Sequence, residues 1–95
     1  MKLVRDNIPK IINDAGRTCE YHKADEAEHI ARLKDKMEEE LTEFMLEPSC
    51  EEAADMLEVV RGLCHIHGID FMDALDAANN KHARRGGFDG GIVLW

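Results

Sequence analysis

Four carboxylates at two matched spacings, Glu40-x-x-Glu43 and Glu52-x-x-Asp55, are the residues of this chain best suited to do chemistry. Residues three apart share a helix face, so each pair lies on one side of its helix. Pro48, between the pairs, marks a corner at which two helices fold back on each other. Four carboxylates aimed at one gap repel one another unless a cation sits there. Oxygen donors with no Cys or His beside them suit a hard ion, Mg²⁺ or Mn²⁺. Mg²⁺ keeps several waters and takes phosphate oxygens readily as further ligands. Against this stands a plainer reading. Glu-rich helices are commonly solvated faces, and Glu52, three residues after Ser49, also completes a capping box.

The elements that must position these acids follow from periodicity and end signals. Asp25 is an N-cap for a long helix over 26–46, with Ile30, Leu33, Met37, Leu41 and Phe44 as its apolar stripe. Pro48 ends it, and Ser49 starts a second helix over 50–67 that carries Ala53, Met56, Leu57, Val60, Leu63 and Cys64 and stops at Gly68. Asp70 caps a further helix over 71–85 bearing Phe71, Leu75 and Ala78, closed by Gly86-Gly87. A short N-terminal helix begins around Asn7-Ile8-Pro9 and ends at Gly16. The expected fold is all-α, a single domain over 1–95 built as an antiparallel helical bundle. The 19–23 and 92–95 segments alternate or carry β-branched residues, and are candidates to pair as a minor two-stranded sheet.

On a wheel at about 100° per residue, the stripe of the first long helix covers an arc of about 80°, and Glu40 falls within about 20° of its edge. Glu43 and Glu47 flank the stripe on the same side, while Glu38 and Glu39 point elsewhere. The second long helix has a wider apolar arc, roughly half its circumference, with Glu52 inside it and Asp55 at its edge. Glu51 and Glu58 point away. A carboxylate inside an apolar arc must be neutralised, paired or metal-bound. One neighbouring helix cannot cover so wide an arc, so a second copy of the chain is expected to complete the cover, as a homodimer or higher homo-oligomer.

A basic cluster closes the last helix. Lys81 and Arg85, four apart, share a flank of its stripe, while Arg84 points the other way. Cations favour a helix C-terminus through the macrodipole alone. Their functional reading is contact with phosphate oxygens, bidentate for Arg and point-like for Lys. Asn79 lies within the stripe and needs a hydrogen-bond partner, in the core or on a ligand. His65 and His67 do not share a face and form no joint metal site. There is no P-loop, and no Ser or Cys nucleophile with a spaced base.

Composition narrows the classes. With 44% hydrophobic and 34% charged residues the chain is globular, and a net charge of −8 argues against nucleic-acid or anionic-membrane partners. No apolar run approaches the roughly 20 residues of a membrane span. Residues 1–10 have no long apolar segment after their charges, so no signal peptide is expected. Cys19, Cys50 and Cys64 form no Cys-x-x-Cys pair and read as reduced thiols of a cytoplasmic protein.

With these residues in place, the chain resembles the all-α nucleotide pyrophosphohydrolase superfamily of MazG-like and phosphoribosyl-ATP pyrophosphohydrolase-like proteins over almost its whole length. The family's paired E-x-x-E and E-x-x-D motif is matched by Glu40-Leu41-Thr42-Glu43 and Glu52-Ala53-Ala54-Asp55. The opening Lys2-Leu3-Val4-Arg5-Asp6-Asn7-Ile8-Pro9 and the close Lys81-His82-Ala83-Arg84-Arg85-Gly86-Gly87-Phe88 are similar to those of one MazG-like subgroup. The resemblance implies that Glu40, Glu43, Glu52 and Asp55 hold Mg²⁺ and that water cleaves the α–β phosphoanhydride of a nucleoside triphosphate. It implies that Lys81 and Arg85 neutralise phosphate, and it alone brings Arg5 and Asp6 toward the substrate. A housekeeping role on non-standard nucleotides follows from the subgroup. The alternatives are a phosphoribosyl-ATP pyrophosphohydrolase and a non-catalytic nucleotide or metal sensor or interaction module.

Overall fold

The computed structural model describes all 95 residues and is all-helical: α1 (Ile8–Asp14), α2 (Glu26–Leu46), α3 (Cys50–Ile66) and α4 (Phe71–Arg85). The helix starts are set by local side-chain chemistry. The Asp25 carboxylate accepts from the Glu28 amide at 2.9 Å, Ser49 Oγ accepts from the Glu52 amide at 3.1 Å, and Asp70 accepts from Met72 at 2.8 Å and Asp73 at 3.3 Å. Each bond satisfies a first-turn N–H that the helix leaves without a partner. At the start of α2, a hydrogen bond from His22 and then contacts with Arg32 hold the Glu28 carboxyl below its ordinary range, against the opposing effect of desolvation.

α2 and α3 fold back on each other across residues 47–49, and this pair is the main packing unit; α4 packs more lightly on α3. Leu33 of α2 and Val59 of α3 are its two buried apolar residues. Gly62 lets the helices approach at that level, since a Cβ there would lie 3.0 Å from Leu33 Cδ2. Arg61 of α3 stacks 4.4 Å over the ring of Phe71 and ties α4 to the hairpin. No helix is long and apolar enough to cross a membrane.

The expected pairing of 19–23 with 92–95 does not occur. Neither segment is a strand, and no backbone hydrogen bond joins them. A two-stranded ribbon is marginal without a surface to pack on, and here there is none: every residue from 76 to 95 is exposed. Asn79, expected within the stripe of α4 with a partner in the core or on a ligand, is exposed and so does not face the core.

The fold leaves much apolar surface open. The accessible surface is 8309 Å², roughly half as much again as the ~5,500 Å² of a compact monomer of this mass. The radius of gyration is 16.7 Å, where a compact domain of this length has about 12 Å. Part of the excess is an entirely apolar groove between α2 and α3, floored by Met37, Phe44, Met56 and Val60 and edged by Leu41, Met45 and Leu57.

Candidate metal centre

The hairpin brings three of the four expected acids together. Glu40 and Glu43 lie one turn apart on α2, and Glu52 enters from the first turn of α3. One carboxylate oxygen from each lies within 4.8 Å of one from each of the others. An octahedral Mg²⁺ with oxygens at about 2.1 Å spans about 4.2 Å between opposite ligands, so side-chain movements of a few tenths of an ångström bring all three within reach of one ion.

The burial of the three is graded. Glu40 is only 5% exposed, Glu52 is half-buried and Glu43 opens to solvent. Glu40 Oε1 pairs with Lys36 Nζ at 3.4 Å, but Glu40 Oε2 is buried with no hydrogen-bond partner, as is Glu52 Oε2. Glu52 makes only half of the expected capping box. Its amide donates to Ser49 Oγ, but its carboxylate does not bond back to the Ser49 amide and turns instead toward Glu40 and Glu43. Desolvation raises the Glu52 carboxyl above its ordinary range, and the charges of Glu43, Asp55 and Glu40 and a hydrogen bond with Glu43 push it further the same way. Like charges crowded into a partly dry gap favour protonation or a cation. Two orphaned buried oxygens, an all-oxygen donor set and an open face at Glu43 fit a hard divalent ion.

Asp55 stands apart from this trio. Its Oδ1 accepts from Arg5 Nη2 at 2.7 Å, and Arg5 Nη1 lies 3.8 Å from Glu58 Oε1. Arg5 thus reaches the acids through a carboxylate. The basic end of α4 does not: Lys81, Arg85 and Asn79 are exposed and make no ion pair or side-chain hydrogen bond. Two acids read as outward-facing are engaged. Glu39 is half-buried between Lys2 and Lys36, at 3.5 Å from each, and Glu58 pairs with Arg61 at 3.3 Å as well as facing Arg5.

Sequence reasoning missed Lys36 and Lys2. Lys36 carried a usable signal, because it stands four residues before Glu40 and such pairs meet on a helix face. Lys2 carried none. The N-terminal segment lies over α2 and α3 and roofs a cleft that runs from Glu40 and Asp55, past Leu33 and Val59, to Phe71. Comparison with protein-family models, curated proteins and solved structures finds no match to this chain.

Proposed function

We propose that this chain is a Mg²⁺-dependent nucleotide pyrophosphohydrolase, active as a homodimer or higher homo-oligomer in the cytoplasm. The observation that carries the reading is the pair of buried, partnerless oxygens of Glu40 and Glu52 facing the open carboxylate of Glu43. The matched E-x-x-E and E-x-x-D spacing, the N-terminal Lys-Leu-Val-Arg and the closing Lys-x-x-x-Arg-Gly-Gly-Phe support the substrate class by resemblance.

In this reading Glu40, Glu43 and Glu52 hold the ion, with Asp55 joining them. When bound, Mg²⁺ (Mn²⁺ being the other suitable ion) supplies charge neutralisation at the phosphates and a defined position for water. Glu43, the most exposed of the three, takes the proton of the attacking water. Water adds across the α–β phosphoanhydride; the bond breaks to give a nucleoside monophosphate and pyrophosphate. Arg5 receives phosphate oxygens from the roof of the cleft. Lys81, Arg85 and Asn79, with no partner within their own chain, meet the substrate from a second copy. The apolar groove between α2 and α3 is the surface on which that copy packs.

The test is pyrophosphate release from a panel of standard and non-standard nucleoside triphosphates and phosphoribosyl-ATP, with and without Mg²⁺. Turnover that is lost in Glu40→Gln and strongly reduced in Asp55→Asn supports the reading. Tight nucleotide and Mg²⁺ binding without product would make the protein a sensor, and the absence of both would make it an interaction module.

A further inference from the structure

The N-terminal segment is latched over the acids by side chains rather than by backbone. Residues 1–4 make no backbone–backbone hydrogen bond, and the first such anchor is the Arg5 carbonyl, which accepts from Ile8 N at 3.0 Å. What holds the segment down is Lys2 on Glu39 at 3.5 Å, Arg32 donating to the Met1 carbonyl at 3.2 Å, and Arg5 on Asp55 at 2.7 Å. Arg5 is 55% exposed and Asp55 40% exposed, so water can replace either partner readily. Asp55 lies three residues after Glu52, on the same face of α3 as the acid trio, yet its near oxygen is taken by a guanidinium. Glu58 stands on the other side of that guanidinium, at 3.8 Å, and keeps it close if Asp55 lets go. The fork that serves two carboxylates serves a phosphate equally well.

We infer that Arg5 exchanges partners at this site: in the free protein it serves as the internal counter-ion of Asp55, and it releases Asp55 to the cation and turns to a phosphate oxygen when a polyphosphate binds. The inference rests on the proposed reading of the acids as a cation centre. It explains why the structure brings three acids together and withholds the fourth. It also gives substitution of Arg5 opposite effects on the two ligands. Loss of the guanidinium removes a competitor for Asp55 and favours the bare cation, but removes a contact from the polyphosphate.

Calorimetric titration of Mn²⁺ alone and of Mg²⁺–tripolyphosphate, which carries the phosphates without a base, reads both effects. In Arg5→Gln, Mn²⁺ should bind more tightly, by up to about fivefold, the limit for losing one exposed ion pair. Mg²⁺–tripolyphosphate should bind about tenfold more weakly, as expected for a lost charge-assisted hydrogen bond. Unchanged or weaker Mn²⁺ binding in the variant overturns the exchange, and so does unchanged tripolyphosphate binding. Wild-type protein that takes up no Mn²⁺, or takes it up equally well as Glu52→Gln, overturns the cation reading itself and the exchange with it. The unaltered protein provides a check free of folding effects. Its Arg5 Nε–H resonance should shift on adding Mg²⁺ alone and shift again with tripolyphosphate, and a resonance that stays in place through both additions overturns the inference.

Discussion

Glu40 on α2 and Glu52 on α3 face the same gap, and each keeps its Oε2 buried without a hydrogen-bond partner. Neither helix needs these carboxylates for its own stability: the start of α3 is capped by Ser49, and Glu40 is in mid-helix. A buried acceptor left without a donor costs about 1–3 kcal/mol. The arrangement is therefore a stored cost, one that a bound cation would relieve.

Replacing Glu52 should stabilise the metal-free protein while removing its response to metal. Its carboxyl is raised above the ordinary range, so its favourable contribution is present below that range and is lost as pH rises through the folded value. Glu52→Gln should melt at nearly the same temperature as the parent near pH ~3, below the ordinary glutamate range, and a few degrees higher at neutral pH. Added Mg²⁺ should raise the melting temperature of the parent and leave the variant unmoved. Calorimetric melts across this pH range, with and without Mg²⁺, decide the point; a variant less stable than the parent at neutral pH contradicts it.

Lys36 is the only cation paired with Glu40, at 3.4 Å, and its own side chain is 22% exposed. Lys36→Met leaves a nearly buried carboxylate with no counter-charge and should cost about 2–3 kcal/mol in urea unfolding. Saturating Mg²⁺ should return most of that loss. Combined with Glu40→Gln, the penalty should shrink, since the two residues interact directly.

The open apolar surface predicts assembly. Light scattering at micromolar concentration should give at least twice the mass of one chain. Leu57 is 51% exposed and Met45 69% at the edges of the apolar groove. Leu57→Glu together with Met45→Glu should shift the protein to monomer and lower its stability. A wild-type chain that stays monomeric would show that the groove is not a subunit contact.

Gly62 is a packing glycine. A Cβ there meets Leu33 at 3.0 Å, and Leu33 is itself 4% exposed, with little room to move. Gly62→Val should destabilise by about 1–3 kcal/mol, the usual cost of overpacking a core. Chemical denaturation measures this, and the penalty of Gly62→Val should be smaller in a Leu33→Ala background, since the two positions touch.

The helices were legible in the sequence because their causes are local. Asp25, Ser49 and Asp70 cap their own first turns, Pro48 bars the continuation of α2, and the apolar spacing along α2 and α3 is read within each helix. The same locality put Glu40 at the edge of one apolar arc and Glu52 inside another, and both are withdrawn from solvent in the fold. What depended on the tertiary structure were contacts between residues far apart in the chain. Arg5 and Asp55 are 50 positions apart, and only the course of the N-terminal segment over the hairpin brings them to 2.7 Å. That course separates Asp55 from the trio and engages Glu39 and Glu58, which a wheel of an isolated helix shows as outward-facing. The 92–95 run reads as a strand because β-branched and aromatic residues favour one, but a strand needs an edge to pair with, and the fold provides none. Periodicity says which face of a helix is apolar; the rotation at which Leu33 and Val59 pack decides which charges meet across the gap.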